Sequence, residues 1–147
     1  MNLFPTEDIS AVSEFSEQDK TTVAYGKSWK FDFDKMEFVV DGGGRIKEAD
    51  EDEAWIIWCY KALLTARYRY AIYSDNYGSE LEEIIGRNYP KEVLQSEIER
   101  TVKETLLADP RTASVDNFSF EFLDDGVYFT CEVTNTRGST ATLTFRW

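Results

Sequence analysis

Residues 53 to 65, EAWIIWCYKALLT, decide the fold. Trp55, Ile56, Ile57, Trp58, Cys59, Tyr60, Ala62, Leu63 and Leu64 make this stretch apolar on nearly every side, leaving Glu53 and Lys61 as its solvent-seeking positions. A helix of that kind is enclosed by other elements rather than laid across a surface. The run is also too short to cross a bilayer, which takes about 20 apolar residues. It reads as a core helix, and the rest of the chain must supply its cover.

The flanks read outward from it. Glu48, Asp50, Glu51, Asp52 and Glu53 precede the helix, where carboxylates complement the positive end of its dipole. A calcium loop is excluded because Ala54 and Trp55 stand where a further ligand and the turn glycine belong. After an aromatic connection, ARYRYAIYSDNYG, a helix is expected over Ser79–Gly86, with Ser79 and Glu82 at capping-box spacing and Gly86 as its cap. Pro90 opens a further helix in which Leu94, Ile98, Val102 and Leu106 recur every four residues, ending at Asp109-Pro110.

Both ends of the chain read as strand. Trp29, Phe31 and Phe33 alternate with Lys30 and Asp32, and an Asp34-Lys35 turn leads into Met36–Val40, an N-terminal β-hairpin. Asp41-Gly42-Gly43-Gly44 is a loop, not a phosphate cradle, because Arg45-Ile46 follows where a Walker motif needs Lys-Ser or Lys-Thr. Beyond Pro110, Phe118, Phe120 and Phe122 point one way. Val127, Phe129, Cys131 and Val133 alternate next, then Ala141, Leu143 and Phe145, with turns at Asp124-Asp125-Gly126 and Thr136-Arg137-Gly138. The expected fold class is α+β: a central buried helix and two further helices on an antiparallel C-terminal three-stranded meander, plus the hairpin. Residues 1–20 read as an arm and 21–147 as one domain.

Composition narrows the function. A net charge of −12 argues against nucleic acid and against an anionic membrane surface. With no histidine in 147 residues, Ser-His-Asp, Cys-His and most zinc chemistry are excluded. Cys59 and Cys131 read as buried thiols, one mid-helix and one mid-strand. MNLFPTEDIS lacks the basic-then-apolar pattern of a secretory leader, so a protein made and kept in a reducing cytoplasm is expected. Acid–base work falls to carboxylates, with Glu53 or Glu121 as the candidate acid of a cell-wall hydrolase. Glu53 reads more simply as a helix-start carboxylate, and Glu121 alternates outward. No catalytic, metal or cofactor residues are assigned.

Trp55-Ile56-Ile57-Trp58 through Leu63-Leu64-Thr65, then Tyr77-Gly78, then Asp109-Pro110-Arg111, resemble the baseplate wedge or sheath-initiator family of contractile tails. Asp109 stands where that family generally has Glu, and Tyr68 where a glycine is common, so a different loop is expected there. Tyr25 to Val40 resembles a branch found in prophages and phage-tail-like particles of Gram-positive bacteria. Some relatives carry a lysozyme-like label, yet no Glu here has an Asp or Cys nine residues later, as the phage lysozyme arrangement has.

The resemblance implies a non-enzymatic tail component in about six copies around the tube, joining wedge to sheath. Asp109, Pro110 and Arg111 are then the wedge-binding residues; Arg111 reads either as a surface charge after a helix stop or as a fork that holds a partner carboxylate or backbone carbonyls. Thr140, Thr142, Leu143, Thr144, Phe145 and Trp147, on a Thr-rich edge strand with few charges, are the sheath-binding ones. Partners are other wedge proteins and the sheath protein, with tail tube or hub as a further candidate. The alternatives are the carboxylate hydrolase and a tail-assembly chaperone.

Overall fold

The computed structural model describes residues 23–147. The arm expected over residues 1–20 lies outside the described residues.

The central helix, α1 (Glu51–Leu64), starts where Asp50 accepts a hydrogen bond from the Glu53 N–H at 3.1 Å, with Glu51, Asp52 and Glu53 in its first turn. It stops at Thr65, whose N–H and hydroxyl both bond the Lys61 carbonyl, at 3.0 and 2.6 Å. Trp55, Cys59 and Leu63 enter the main core, while Ala54 and Ile57 pack on the other side against Ala49 and Phe33. Two covered faces explain why its apolar residues form no single stripe. Enclosure is incomplete, however: Trp58 and Tyr60 are half-buried and Leu64 is exposed.

The expected hairpin is present but built from short pieces: β1 (Ser28–Trp29), β2 (Phe31–Asp32), β3 (Glu37–Phe38) and β4 (Glu48–Ala49). β2 pairs with β3 and β1 with β4, both antiparallel. The Lys30 N–H to Lys47 carbonyl bond, 2.8 Å, and the Lys47 N–H to Val39 carbonyl bond, 2.9 Å, tie the pairs into one ribbon. Asp41 supports its loop by accepting from the Gly43 and Arg45 N–H groups at 2.8 and 3.0 Å. Those bonds, the Arg45 one first, hold its carboxyl below the usual range.

The C-terminal meander runs β5 (Thr112–Leu123), β6 (Gly126–Asn135), β7 (Thr140–Arg146), in that spatial order. Burial alternates along all of β6, with Val127, Phe129, Cys131 and Val133 turned inward. In β5 an irregularity between Asp116 and Ser119, with Asn117 at φ +53°, brings Phe118, Phe120 and Phe122 to the core side shared by Val115. Against this face lie α1 and α3 (Lys91–Leu107), whose Ile98, Val102 and Leu106 are fully buried. Pro90 is the cap residue of α3 rather than its first helical residue.

Ser79 corrects the capping-box expectation. Helix α2 (Leu81–Gly86) begins two residues later without a side-chain cap, and the Ser79 hydroxyl donates to the Leu63 carbonyl at 2.6 Å. Gly86 is the last helical residue, with Arg87 as the cap. Ser79 instead closes a latch. Its N–H bonds the Thr65 carbonyl at 2.9 Å, and its carbonyl accepts from the Arg67 N–H at 3.0 Å. Gly78, at φ +97°, is required there, because a Cβ would lie 2.9 Å from the Thr65 carbonyl oxygen. The Leu-Leu-Thr and Tyr-Gly motifs are therefore two halves of one contact, pinching off the loop 66–78. Tyr68 within it adopts φ +65°, the region glycine favours, so the residue differs but the backbone takes a conformation open to glycine. No helix of the described residues is long and apolar enough to cross a membrane.

Candidate docking surfaces

Asp109, Pro110 and Arg111 form a closed corner where β5 begins. The Arg111 guanidinium bonds both Asp109 carboxylate oxygens, at 2.9 and 2.7 Å, and its remaining arm donates to the Tyr25 carbonyl at 2.9 Å. Its charge also sits 5.8 Å from the Trp58 ring centre. Side-chain exposure is 13% for Arg111 and 8% for Asp109, whereas Pro110 is exposed. The Tyr25 hydroxyl shares a hydrogen bond with Thr136 at 2.6 Å, and the Thr136 N–H bonds the Arg111 carbonyl at 2.9 Å. Arg137 lies 3.8 Å over the Tyr25 ring and pairs with Glu51. The Arg111 fork thus holds a carboxylate and a backbone carbonyl of its own chain rather than of a partner.

Cys59 is the neighbouring thiol. Burial pushes its pKa up and the Asp109 carboxylate adds to the rise. Burial alone raises Cys131 to about 12. Both cysteines are free and buried, so neither is a nucleophile near neutral pH.

β7 presents the opposite kind of surface. Val127 and Trp147 exchange bonds of 2.9 Å in both directions, and the Asn135 N–H bonds the Ser139 carbonyl at 2.9 Å. That parity turns the backbone groups of Ala141, Leu143 and Phe145 toward β6 and those of Thr140, Thr142, Thr144 and Arg146 outward. Among the described residues one hydrogen bond reaches this outer edge, from the Thr144 N–H to the Tyr60 hydroxyl at 3.3 Å. Of the residues singled out for sheath contact, Thr140, Thr142 and Thr144 are exposed. Leu143 and Phe145 are core residues, 0% and 4% exposed, and Trp147 is half-buried. Gly126 is needed because the chain end crosses it: a Cβ would lie 1.8 Å from the Trp147 carbonyl oxygen.

The candidate acids do not meet. Glu53 is ion-paired with Lys30 at 2.8 Å at the start of α1. Its neighbour Asp52 bonds Asn135 and Ser139, at 3.0 and 2.9 Å, at one end of β6. Glu121 pairs with Tyr128 near the other end. At about 3.3 Å per residue these ends lie roughly 20 Å apart, beyond the ~5–9.5 Å of a glycosidase pair. Among the described residues no group of three or more His, Cys, Asp or Glu side chains could hold a metal ion.

Tyr60, Phe31, Phe33 and Leu64, which line a groove beside β7, were not marked by sequence pattern. They read as core or strand-face residues, and only the packing of the ribbon beside the meander brings them together.

A family model described as the contractile injection system sheath initiator matches residues 27–138, ending just before β7. The phage-like element PBSX protein XkdS of Bacillus subtilis (strain 168) is 31% identical over 136 residues, covering 90% of this chain and 86% of that protein. The chain belongs to the sheath-initiator family of contractile injection systems.

Proposed function

We propose that this sheath initiator joins the baseplate wedge to the sheath and starts sheath assembly by accepting a sheath strand on the outer edge of β7. The observation that carries this reading is the row of outward backbone groups on Thr140, Thr142, Thr144 and Arg146, met by one hydrogen bond from within the described residues. An added strand derives affinity from such groups whatever its sequence, which suits an assembly nucleus. The wedge contact falls to the corner of Asp109, Pro110 and Arg111. Because Arg111 is engaged within the chain, the corner offers its exposed Pro110 and a backbone held rigid by the Asp109–Arg111 pair. In this reading about six copies surround the tube, built in the bacterial cytoplasm into the tail baseplate.

Ending the chain at Ser139 cannot test the edge, because that removes Leu143 and Phe145 from the core. Thr142→Pro removes one outward N–H and leaves the core side chains in place. Mixed with purified sheath protein of the same particle, wild type is expected to co-elute and Thr142→Pro to run alone with an unchanged circular dichroism spectrum. Equal co-elution by both overturns strand docking. Mass spectrometry of purified tails separates this role from that of a chaperone, which is absent from the finished particle.

A further inference from the structure

The loop 66–78, pinched off between Thr65 and Ser79, turns four large apolar side chains to solvent: Ile72 is 86% exposed, Tyr68 67%, Tyr70 50% and Tyr73 49%. Its backbone is nonetheless braced. Arg67 donates from Nε to the Gly78 carbonyl at 3.1 Å and holds Glu104 of α3 at 3.0 Å. Inside the loop the Tyr73 and Tyr77 N–H groups bond the Tyr70 and Ser74 carbonyls, at 3.2 and 3.0 Å. Tyr68 keeps a φ of +65°, strained for a tyrosine, with two-thirds of the residue in solvent. Glycine would serve the fold better there, so the side chain is retained for something outside it. An aromatic chain leads from the loop to the Asp109–Arg111 corner. Tyr70, Tyr73, Tyr77 and Trp58 follow at ring distances of 6.2, 4.7 and 6.0 Å, and the Arg111 guanidinium lies 5.8 Å from the Trp58 ring.

We propose that the loop is a second arm of the wedge contact: Tyr68, Tyr70, Ile72 and Tyr73 enter an apolar cleft with a basic rim on the same wedge protein that meets Pro110. The inference rests on the wedge reading of the corner and names what the partner presents. Rigid tyrosines suit such a contact, because they bring large area at little cost in side-chain freedom. Area and charge decide the occupant. At about 200 Å² for each side chain, the exposed parts sum to roughly 500 Å². That is short of the ~800 Å² per partner of a stable interface, so a second copy meeting the chain loop to loop falls short. A partner that follows the aromatic chain to Pro110 gains the remainder. The collar of the loop holds four guanidinium groups, Arg67, Arg69, Arg87 and Arg100, against six carboxylates, Asp75, Glu80, Glu82, Glu83, Glu97 and Glu104. The excess of carboxylate repels a second copy's identical collar and anionic lipid, and it complements a basic rim.

The test measures binding of the full chain to purified wedge proteins of the same particle. Ile72→Ser and Tyr70→Ser, both at exposed positions, are expected to weaken binding at least tenfold with unchanged circular dichroism spectra. Tyr68→Gly is expected to weaken it several-fold while its urea midpoint stays level or rises, a combination that a merely structural tyrosine would not give. Pro110→Lys, which sets a charge against the basic rim, is expected to weaken it as well. Wild-type binding by the three loop variants, with loss in Pro110→Lys, sinks the loop and keeps the corner. Loss in the loop variants alone overturns the shared partner, because the corner then takes no part. Full binding by all four variants, or none by the wild type, sinks both readings. Light scattering of the chain alone is expected to give a monomer; a dimer that Ile72→Ser dissolves makes a second copy the occupant and overturns the proposal. Binding to phosphatidylcholine vesicles that Ile72→Ser abolishes overturns it in favour of a membrane.

Discussion

The Asp109–Arg111 corner and the β7 edge both lie on the surface, yet one is closed and the other open. In the corner each guanidinium nitrogen of Arg111 has a partner within the chain, and exposure falls to about a tenth. Along β7 the outward groups of Thr140, Thr142 and Arg146 meet no partner among the described residues. A buried, paired charge acts first on the fold, and it reaches a partner only through the shape it maintains. An unpaired row of peptide groups acts on partners and contributes little to the isolated fold. Side-chain chemistry alone marks both stretches for docking and does not tell them apart.

The largest expected effect breaks the corner. Arg111→Ala leaves the Asp109 carboxylate, 8% exposed, without its guanidinium, so a loss of about 3 kcal/mol is expected in urea unfolding. Arg111→Lys is expected to restore only part of this, because a single ammonium cannot replace both carboxylate bonds and the Tyr25 contact. A change under about 0.5 kcal/mol in Arg111→Ala would mean the corner is as loosely coupled as the edge.

The next effect is a pH dependence centred on the thiol beside the corner. Burial raises the folded pKa of both Cys59 and Cys131 above the ordinary thiol value, Cys131 to about 12. The unfolded chain therefore loses these protons first, so their contribution is complete below pH 9 and disappears as pH climbs toward the folded values. Stability is expected to fall by about 1 kcal/mol per pH unit for each thiol above pH 9, read from urea midpoints. A flat profile from pH 9 to 11 would show that neither thiol is sealed in the core.

The smallest effect belongs to the edge. Thr142→Lys adds a charge to an exposed position of an unpaired strand and is expected to change stability by less than about 0.5 kcal/mol. A larger loss would show that the edge already has an internal partner.

Much of the fold was legible in residue patterns. The strict alternation of Val127, Phe129, Cys131 and Val133 yields the observed burial of β6 residue by residue, because a strand's side chains have a fixed period. The four-residue repeat from Leu94 to Leu106 places the buried face of α3 for the same kind of reason. Ser79 misled because its spacing to Glu82 imitates a capping box, while the Leu63 carbonyl competing for its hydroxyl lies 16 residues back. The candidate site was less legible. Asp109-Pro110-Arg111 and the Thr-rich strand could be singled out, but not which of them would be closed.

By itself the sequence determined the elements, the apolar faces and the absence of imidazole chemistry, since these follow from local periodicity and residue type. Tertiary structure alone decided that Arg111 turns inward to Tyr25, 86 residues away, and that Tyr60 reaches Thr144, 84 residues away. Hydrogen bonds at such separations depend on how whole elements pack, and no local pattern encodes them.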